Sequence, residues 1–281
     1  MSAKGLHLTD RDIDVLKYLA YGPAFSGDLH IRFFVKSGKT ISRQAFESRM
    51  KKLKSAGHIR SIKPQEELSQ GNTRNHGPVH ALAERGLEIL TGKGVDVNRI
   101  RLVNLNEKTI PHEIILTRLI RKIYEFDGVR YRVIRLYDDV MLSRLAPQRK
   151  IRRIPDLRFT VQLKNGSYYS FCVEVDAGTT GDTKFLEKPD AFIRTNHLLD
   201  ITNNKEPMIG ILVVCDTENR MRCLQQLVHD SKLVASTKSA LAFNTIYNLD
   251  NSLGLFNSWY RADGTKIEMI FKYKMASSKT V

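Results

Sequence analysis

The stretch YYSFCVEVDAGTTGDTKFLEKPDAF, Tyr168 to Phe192, constrains this chain more than any other part of it. Its first nine residues alternate as a strand does. Tyr169, Phe171, Val173 and Val175 fall on one face, and Cys172, Glu174 and Asp176 on the other. Just upstream, PDLRFTVQL and the turn-favouring Asn165-Gly166 complete a β-hairpin with this strand. In a simple register Asp156, at the start of the first strand, lies opposite the end of the second, and three carboxylates gather at one edge. Unpaired, they repel and raise one another's pKa. A hard divalent cation removes that cost, and Mg²⁺ takes oxygen ligands of this kind. The plainer reading is a strand with a polar end, in which Asp176 caps the segment that follows.

Mg²⁺ (or Mn²⁺) held by Asp156 and Glu174 polarises a phosphodiester and lowers the pKa of bound water. Lys184 and Lys188 are four apart, on one face if helical, and either is placed to stabilise the developing phosphorane charge. The charge balance suits such a substrate. The 281 residues carry a formal net charge of +15, which points to a polyanionic partner. The excess is +6 over residues 1–90, +7 over 91–156 and +2 over 157–281, so the positive field belongs to the first part of the chain and to the approach to Asp156. Three cysteines, widely spaced, supply neither a disulfide framework nor a zinc site, and a reducing cytoplasm is the inference. IGILVVC, the longest apolar run, has a strand's length, so no membrane association is expected.

The first ninety residues read as a separate module. LTDRDIDVLKYLAYG opens a helix capped by Thr9, with Asp12 at the capping-box position and Gly22-Pro23 as its stop. SGDLHIRFF reads as a short second helix capped by Ser26. SRQAFESRMKKLKSAG is the third, with Phe46, Met50 and Leu53 as its apolar stripe and Gly57 as its end. HIRSI and VHAL read as two strands around a polar loop, and AERGLEIL as a closing helix. Three helices followed by a hairpin with a long basic tip is the layout of a winged helix-turn-helix, whose third helix enters the major groove while the wing touches phosphate. Arg43, Gln44 and Arg49 are the expected groove-facing residues, Lys52 belongs to the same cationic helix, and Arg74 lies in the wing. Winged helices commonly pair to read two half-sites, which makes a homodimer the expectation.

Two glycines, the absence of a helical period and Pro111 mark residues 92–111 as a linker between domains at 1–91 and 112–281. HEIILTRLIRKIYEF follows as a helix and VRYRVIRLYDD as a half-buried strand. Arg149, Lys150, Arg152 and Arg153 crowd the approach to Asp156, where they would guide a phosphate backbone. MIGILVVCD reads as a central strand covered on both faces, and ENRMRCLQQLVHDSKL as a helix after it. Arg220 and Arg222 read as a solvated helix start, and Trp259 as packing. IEMIFKYK is the last expected strand.

The winged helix with its ERGLEIL end, HEIILTRL, IPDLRF, FCVEVDAGTTGDTKFLEKPDAF and IGILVVCDTENRMRCL together resemble the replication-relaxation family of plasmids and mobile elements. That resemblance covers most of the chain and implies DNA processing in plasmid mobilisation or replication control, alongside other mobilisation or replication proteins. The middle block also looks like a PD-(D/E)xK nuclease core, a restriction-endonuclease-like mixed sheet. By that match Glu113, Asp156 and Glu174 are the metal ligands. The third signature residue is normally a lysine, and here Asp176 stands there, so the lysine is expected from the next helix, Lys188 first and Lys184 second. Two functions follow: a Mg²⁺-dependent nickase guided by the winged helix, or a non-catalytic DNA-binding regulator that keeps the nuclease fold as a platform. A tyrosine relaxase using Tyr168 or Tyr169 is disfavoured, since both lie mid-strand with no histidine triad nearby.

Overall fold

The computed structural model describes residues 6–35, 41–63, 77–96, 100–145, 153–178, 181–199, 208–252, 255–256 and 259–267. They form a mixed α+β structure with two sheets, divided into two compact units, Met1–Arg121 and Lys122–Val281.

In the first unit α1 (Asp10–Leu19) begins where the sequence signals it. Thr9 Oγ1 accepts the Asp12 N–H, and the Asp12 carboxylate accepts the Thr9 N–H at 2.7 Å. β1 (Ala24–Phe25) and α2 (Ser26–His30) follow, then a π-helical turn over Ile31–Val35 and α3 (Arg43–Ser55). Ser26 does not cap α2. Phe25 holds the cap position, and the Ser26 hydroxyl lies 2.7 Å from His80 Nε2 instead. Ser42 caps α3, and Gly57, at φ +78°, lets the chain leave it in a left-handed turn. β2 (Ile59–Ile62) and β3 (Val79–Leu82) pair antiparallel, and β1 joins the other side of β3, giving the order β1-β3-β2. α4 (Glu84–Gly92) closes the run. Leu16, Leu19, Leu29, Phe34, Phe46, Met50 and Leu53 meet Ile59, Leu82 and Leu90 in the core.

The segment read as a linker is tied to this unit. Arg101 donates its backbone N–H to Ala20 O at 2.7 Å, and Ile110 and Ile114 pack with Phe25 and Val79. The division between units falls after Arg121, within α5 (Ile110–Glu125), and not at Pro111. Arg121 is buried in the first unit. It donates to Tyr18 O and Gly22 O at 3.1 Å and lies 3.6 Å from the centre of the Tyr18 ring. Burial draws its pKa down to about 10.

The second unit is built on a seven-stranded sheet. Its strands are β4 (Tyr131–Asp138), β5 (Leu157–Leu163), β6 (Tyr168–Asp176), β7 (Met208–Cys215), β8 (Leu241–Thr245), β9 (Trp259–Tyr260) and β10 (Lys266–Ile267). They run in the order β10-β9-β8-β7-β6-β5-β4. β4, β5 and β6 form an antiparallel meander, whereas β6, β7 and β8 are parallel, which requires crossovers. α7 (Asp182–Leu199) makes the first crossover, and α8 (Glu218–Asp230) with α9 (Ala235–Ala240) the second. α6 (Asp139–Leu145) follows β4, and α10 (Ile246–Asn251) follows β8. Phe185 and Phe192 of α7, Met221, Leu224 and Val228 of α8, and Leu142 of α6 cover Cys172, Ile211, Val213, Cys215, Leu241 and Phe243 on one face. Phe159, Phe171 and Phe256 stack together, with Tyr131 against Phe256. β7 is buried from Gly210 to Cys215, as its unbroken apolar run requires. Trp259 is fully buried and donates Nε1–H to Leu255 O at 2.7 Å, so it packs, as its sequence context suggests. The expected last strand is described only as Lys266–Ile267, the rest lying outside the described residues. No helix among the described residues is long and apolar enough to cross a membrane.

Candidate functional site

Asn165-Gly166 turns the chain between β5 and β6. Gly166, at φ +85°, donates its N–H to Leu163 O at 2.9 Å, and Leu163 donates to Ser167 O. The register pairs Leu157 with Val173 and so carries Asp156 to the end of the ladder beside Glu174. Asp156 grips β6 on both sides of Glu174. Its N–H donates to Val173 O at 3.0 Å, and its carboxylate accepts the Val175 N–H at 2.7 Å. The side chain thus acts as one more rung of the ladder.

Glu174 and Asp176 point to the face covered by α7 and α8, and each meets a cation there. Lys188 of α7 forms an ion pair with Glu174, whose side chain is 3% exposed. Lys184, one turn earlier, is exposed. Of the two lysines named from the sequence as candidates for the phosphate charge, Lys188 lies against Glu174 and Lys184 does not. Asp176 has no exposed side-chain surface, and Arg220 of α8 clasps both its oxygens, Nε to Oδ1 at 3.0 Å and Nη2 to Oδ2 at 3.1 Å. Asp176 also accepts the Gly178 N–H at 2.7 Å, which closes a local turn at the end of β6; α7 begins only at Asp182. The Arg220 pKa is raised, first by its bond to Asp176. Arg220 therefore anchors a buried acid and is not the solvated helix start that the sequence suggested. No local pattern marks this pair, because its members lie 44 residues apart and meet only when α8 packs on the sheet.

Glu113 belongs to the first unit. There Arg101 donates to it at 3.1 Å and His112 Nδ1 lies 3.9 Å away. Burial opposes its charge, but His112 and Arg101 outweigh burial and hold its pKa below the ordinary carboxylate value. Within the second unit Asp156, Glu174 and Asp176 are each engaged by the protein itself. Among the described residues no group of three or more His, Cys, Asp or Glu is placed to hold a metal ion.

The basic residues separate as sharply. On α3, Arg43, Gln44 and Lys52 are exposed, and Arg43 is bonded to Glu47 at 3.1 Å. Arg49 is not presented to solvent in the same way. Its Nε donates to Asp12 Oδ1 at 2.9 Å, its Nη2 reaches Asp12 Oδ2 and His7 O, and it fastens α3 to the first turn of α1. Burial opposes the Asp12 charge, but the Arg49 and Thr9 bonds win and lower its pKa. Arg74, Arg149, Lys150 and Arg152 lie outside the described residues. Arg153 is described and pairs with Glu187 of α7 across 34 residues. No protein-family model, curated protein or solved structure matches the chain.

Proposed function

We propose that this chain is a DNA-binding protein of the mobile-element type, which takes duplex DNA on the α3 face of its first unit and serves in plasmid mobilisation or replication control. One observation carries the reading. α3 buries Phe46, Met50 and Leu53 and leaves Arg43, Gln44, Lys51, Lys52 and Lys54 in solvent. The order α1, β1, α2, α3, β2, β3 supports it, since a winged helix-turn-helix has this layout. The second unit then acts as a non-catalytic platform. Its buried acids carry their own counter-ions, so the electrostatic work at the edge of β6 is structural.

A second reading has its own supporting contact. Lys188 reaches Glu174 from the helix after the third strand of the meander, as a nuclease core with a displaced lysine would have it. In that case Asp156 and Glu174 would hold Mg²⁺, which would supply Lewis-acid activation of the phosphodiester. Lys188 would then leave Glu174 and serve the developing charge on phosphate.

Binding is tested by titrating duplex DNA at several salt concentrations. The expected result is a linear fall of log K with log salt, at a slope of roughly 0.9 per phosphate neutralised. Cleavage is tested on supercoiled plasmid with Mg²⁺ or Mn²⁺. Intact plasmid at protein concentrations that saturate binding supports the platform. Nicking that vanishes in Asp156→Ala and Glu174→Ala, with binding retained, establishes the nickase instead.

A further inference from the structure

The surface side chains of α3 fall into two kinds, those with a partner and those without one among the described residues. Arg43 is bonded to Glu47, Lys54 donates to Ser61 O at 3.4 Å, and Arg49 is clasped by Asp12 and His7 O. These residues flank the helix. Between them, directly opposite Phe46, Met50 and Leu53, run Gln44, Ser48, Lys51 and Ser55, with Lys52 at the edge. All five are exposed, and none makes a hydrogen bond or ion pair among the described residues. The ridge is graded along its length. Its N-terminal half carries an amide and a small hydroxyl, and its C-terminal half carries two adjacent lysines.

We propose that this gradient divides the work of DNA recognition, an inference that rests on the DNA-binding reading above. Gln44 and Ser48 read base edges, Lys51 and Lys52 grip phosphate, and Arg49 contacts no DNA. Chemistry assigns the roles. A glutamine amide offers a donor and an acceptor side by side, matching N6 and N7 of adenine in the major groove. Ser48, one turn on, is short enough to let the backbone of α3 approach the groove floor. A lysine is a point charge without planar geometry, suited to phosphate more than to a base. The N-terminal end of a recognition helix is also the end that meets base edges. Arg49 has the bidentate geometry to read guanine, but Asp12 already occupies it.

The test selects preferred sites from randomised duplexes with the wild-type chain and then measures its variants on the selected and a scrambled duplex across salt. Gln44→Ala is expected to lose roughly ten- to hundredfold on the selected duplex and to abolish the preference for adenine at one position. Its scrambled-site affinity and salt slope stay unchanged. Lys51→Ala and Lys52→Ala are expected to weaken both duplexes alike and to reduce the salt slope by about one each. Arg49→Lys, which keeps a cation beside Asp12, is expected to retain the wild-type preference. If the wild-type chain shows no salt-sensitive binding, the DNA-binding reading itself falls. If it binds, but Gln44→Ala keeps the full preference or Arg49→Lys loses it at an unchanged melting temperature, the division of labour is overturned and the binding reading stands.

Discussion

His80 sits in β3 with a hydroxyl on each ring nitrogen, Ser26 Oγ at Nε2 and Ser61 Oγ at Nδ1, both at 2.7 Å. A neutral imidazole has one donor and one acceptor, and hydroxyls satisfy either. Burial, and secondarily the Lys54 charge, hold its pKa down to about 4. The unfolded chain takes up this proton near pH 6.5 and the folded chain only near 4. As pH falls between those values the unfolded state binds more protons, so stability is lost, by about 3 kcal/mol in all. Urea midpoints measured from pH 7 to 4.5 should fall, and less steeply in His80→Gln. Arg220 tests a charge of the opposite kind. Arg220→Gln strands the buried Asp176 carboxylate and should cost about 3–5 kcal/mol, while adding Asp176→Asn recovers much of the loss. Denaturant titration of the single and double variants measures both. None of this could be read beforehand. Ser26 looked like a cap and Arg220 like a helix start because local sequence shows only local partners.

At the scale of elements, packing overrides propensity where α4 meets β2. A Cβ on Gly86 would lie 2.3 Å from His58 O and 2.7 Å from Leu82 Cδ1. Alanine improves helix propensity by about 1 kcal/mol, yet Gly86→Ala should destabilise by about 1–3 kcal/mol because neither backbone can retreat freely. A lowered thermal midpoint checks it. Elements with their own signals were legible in the sequence. Thr9 with Asp12 started α1, Gly57 ended α3, and Asn165-Gly166 turned β5 into β6. The unbroken apolar run of β7 placed it inside the sheet. α6, α9, α10, β1, β8 and β9 were not legible, since two to seven residues hold too little of a period to register. β1 exists only as two residues paired with β3. α7 contains Pro189, which removes one helical N–H immediately after Lys188, and still runs from Asp182 to Leu199. Phe185 and Phe192, buried in the core, hold it to the sheet.

At the scale of the whole molecule the charges are distributed by purpose. Those of α3, Arg49 excepted, face solvent, and those at the end of β6 are matched inside the fold. This predicts the response to metal. A ligand that binds only the folded state raises its thermal midpoint. Millimolar Mg²⁺ against EDTA should leave the midpoint of this chain unchanged, because Glu174 and Asp176 already hold Lys188 and Arg220. A rise that disappears in Glu174→Gln would reverse the choice between platform and nickase. By itself the sequence determined the strands and helices that carry their own caps, turns and periods, the cationic face of α3 and the face of β6 that bears the acids. These are properties of neighbours along the chain. Only the tertiary structure decided which cation each acid takes, because Asp12 and Arg49 are separated by 37 residues and Asp176 and Arg220 by 44. A Coulomb partner is chosen by distance after folding, and nothing along the chain records that distance.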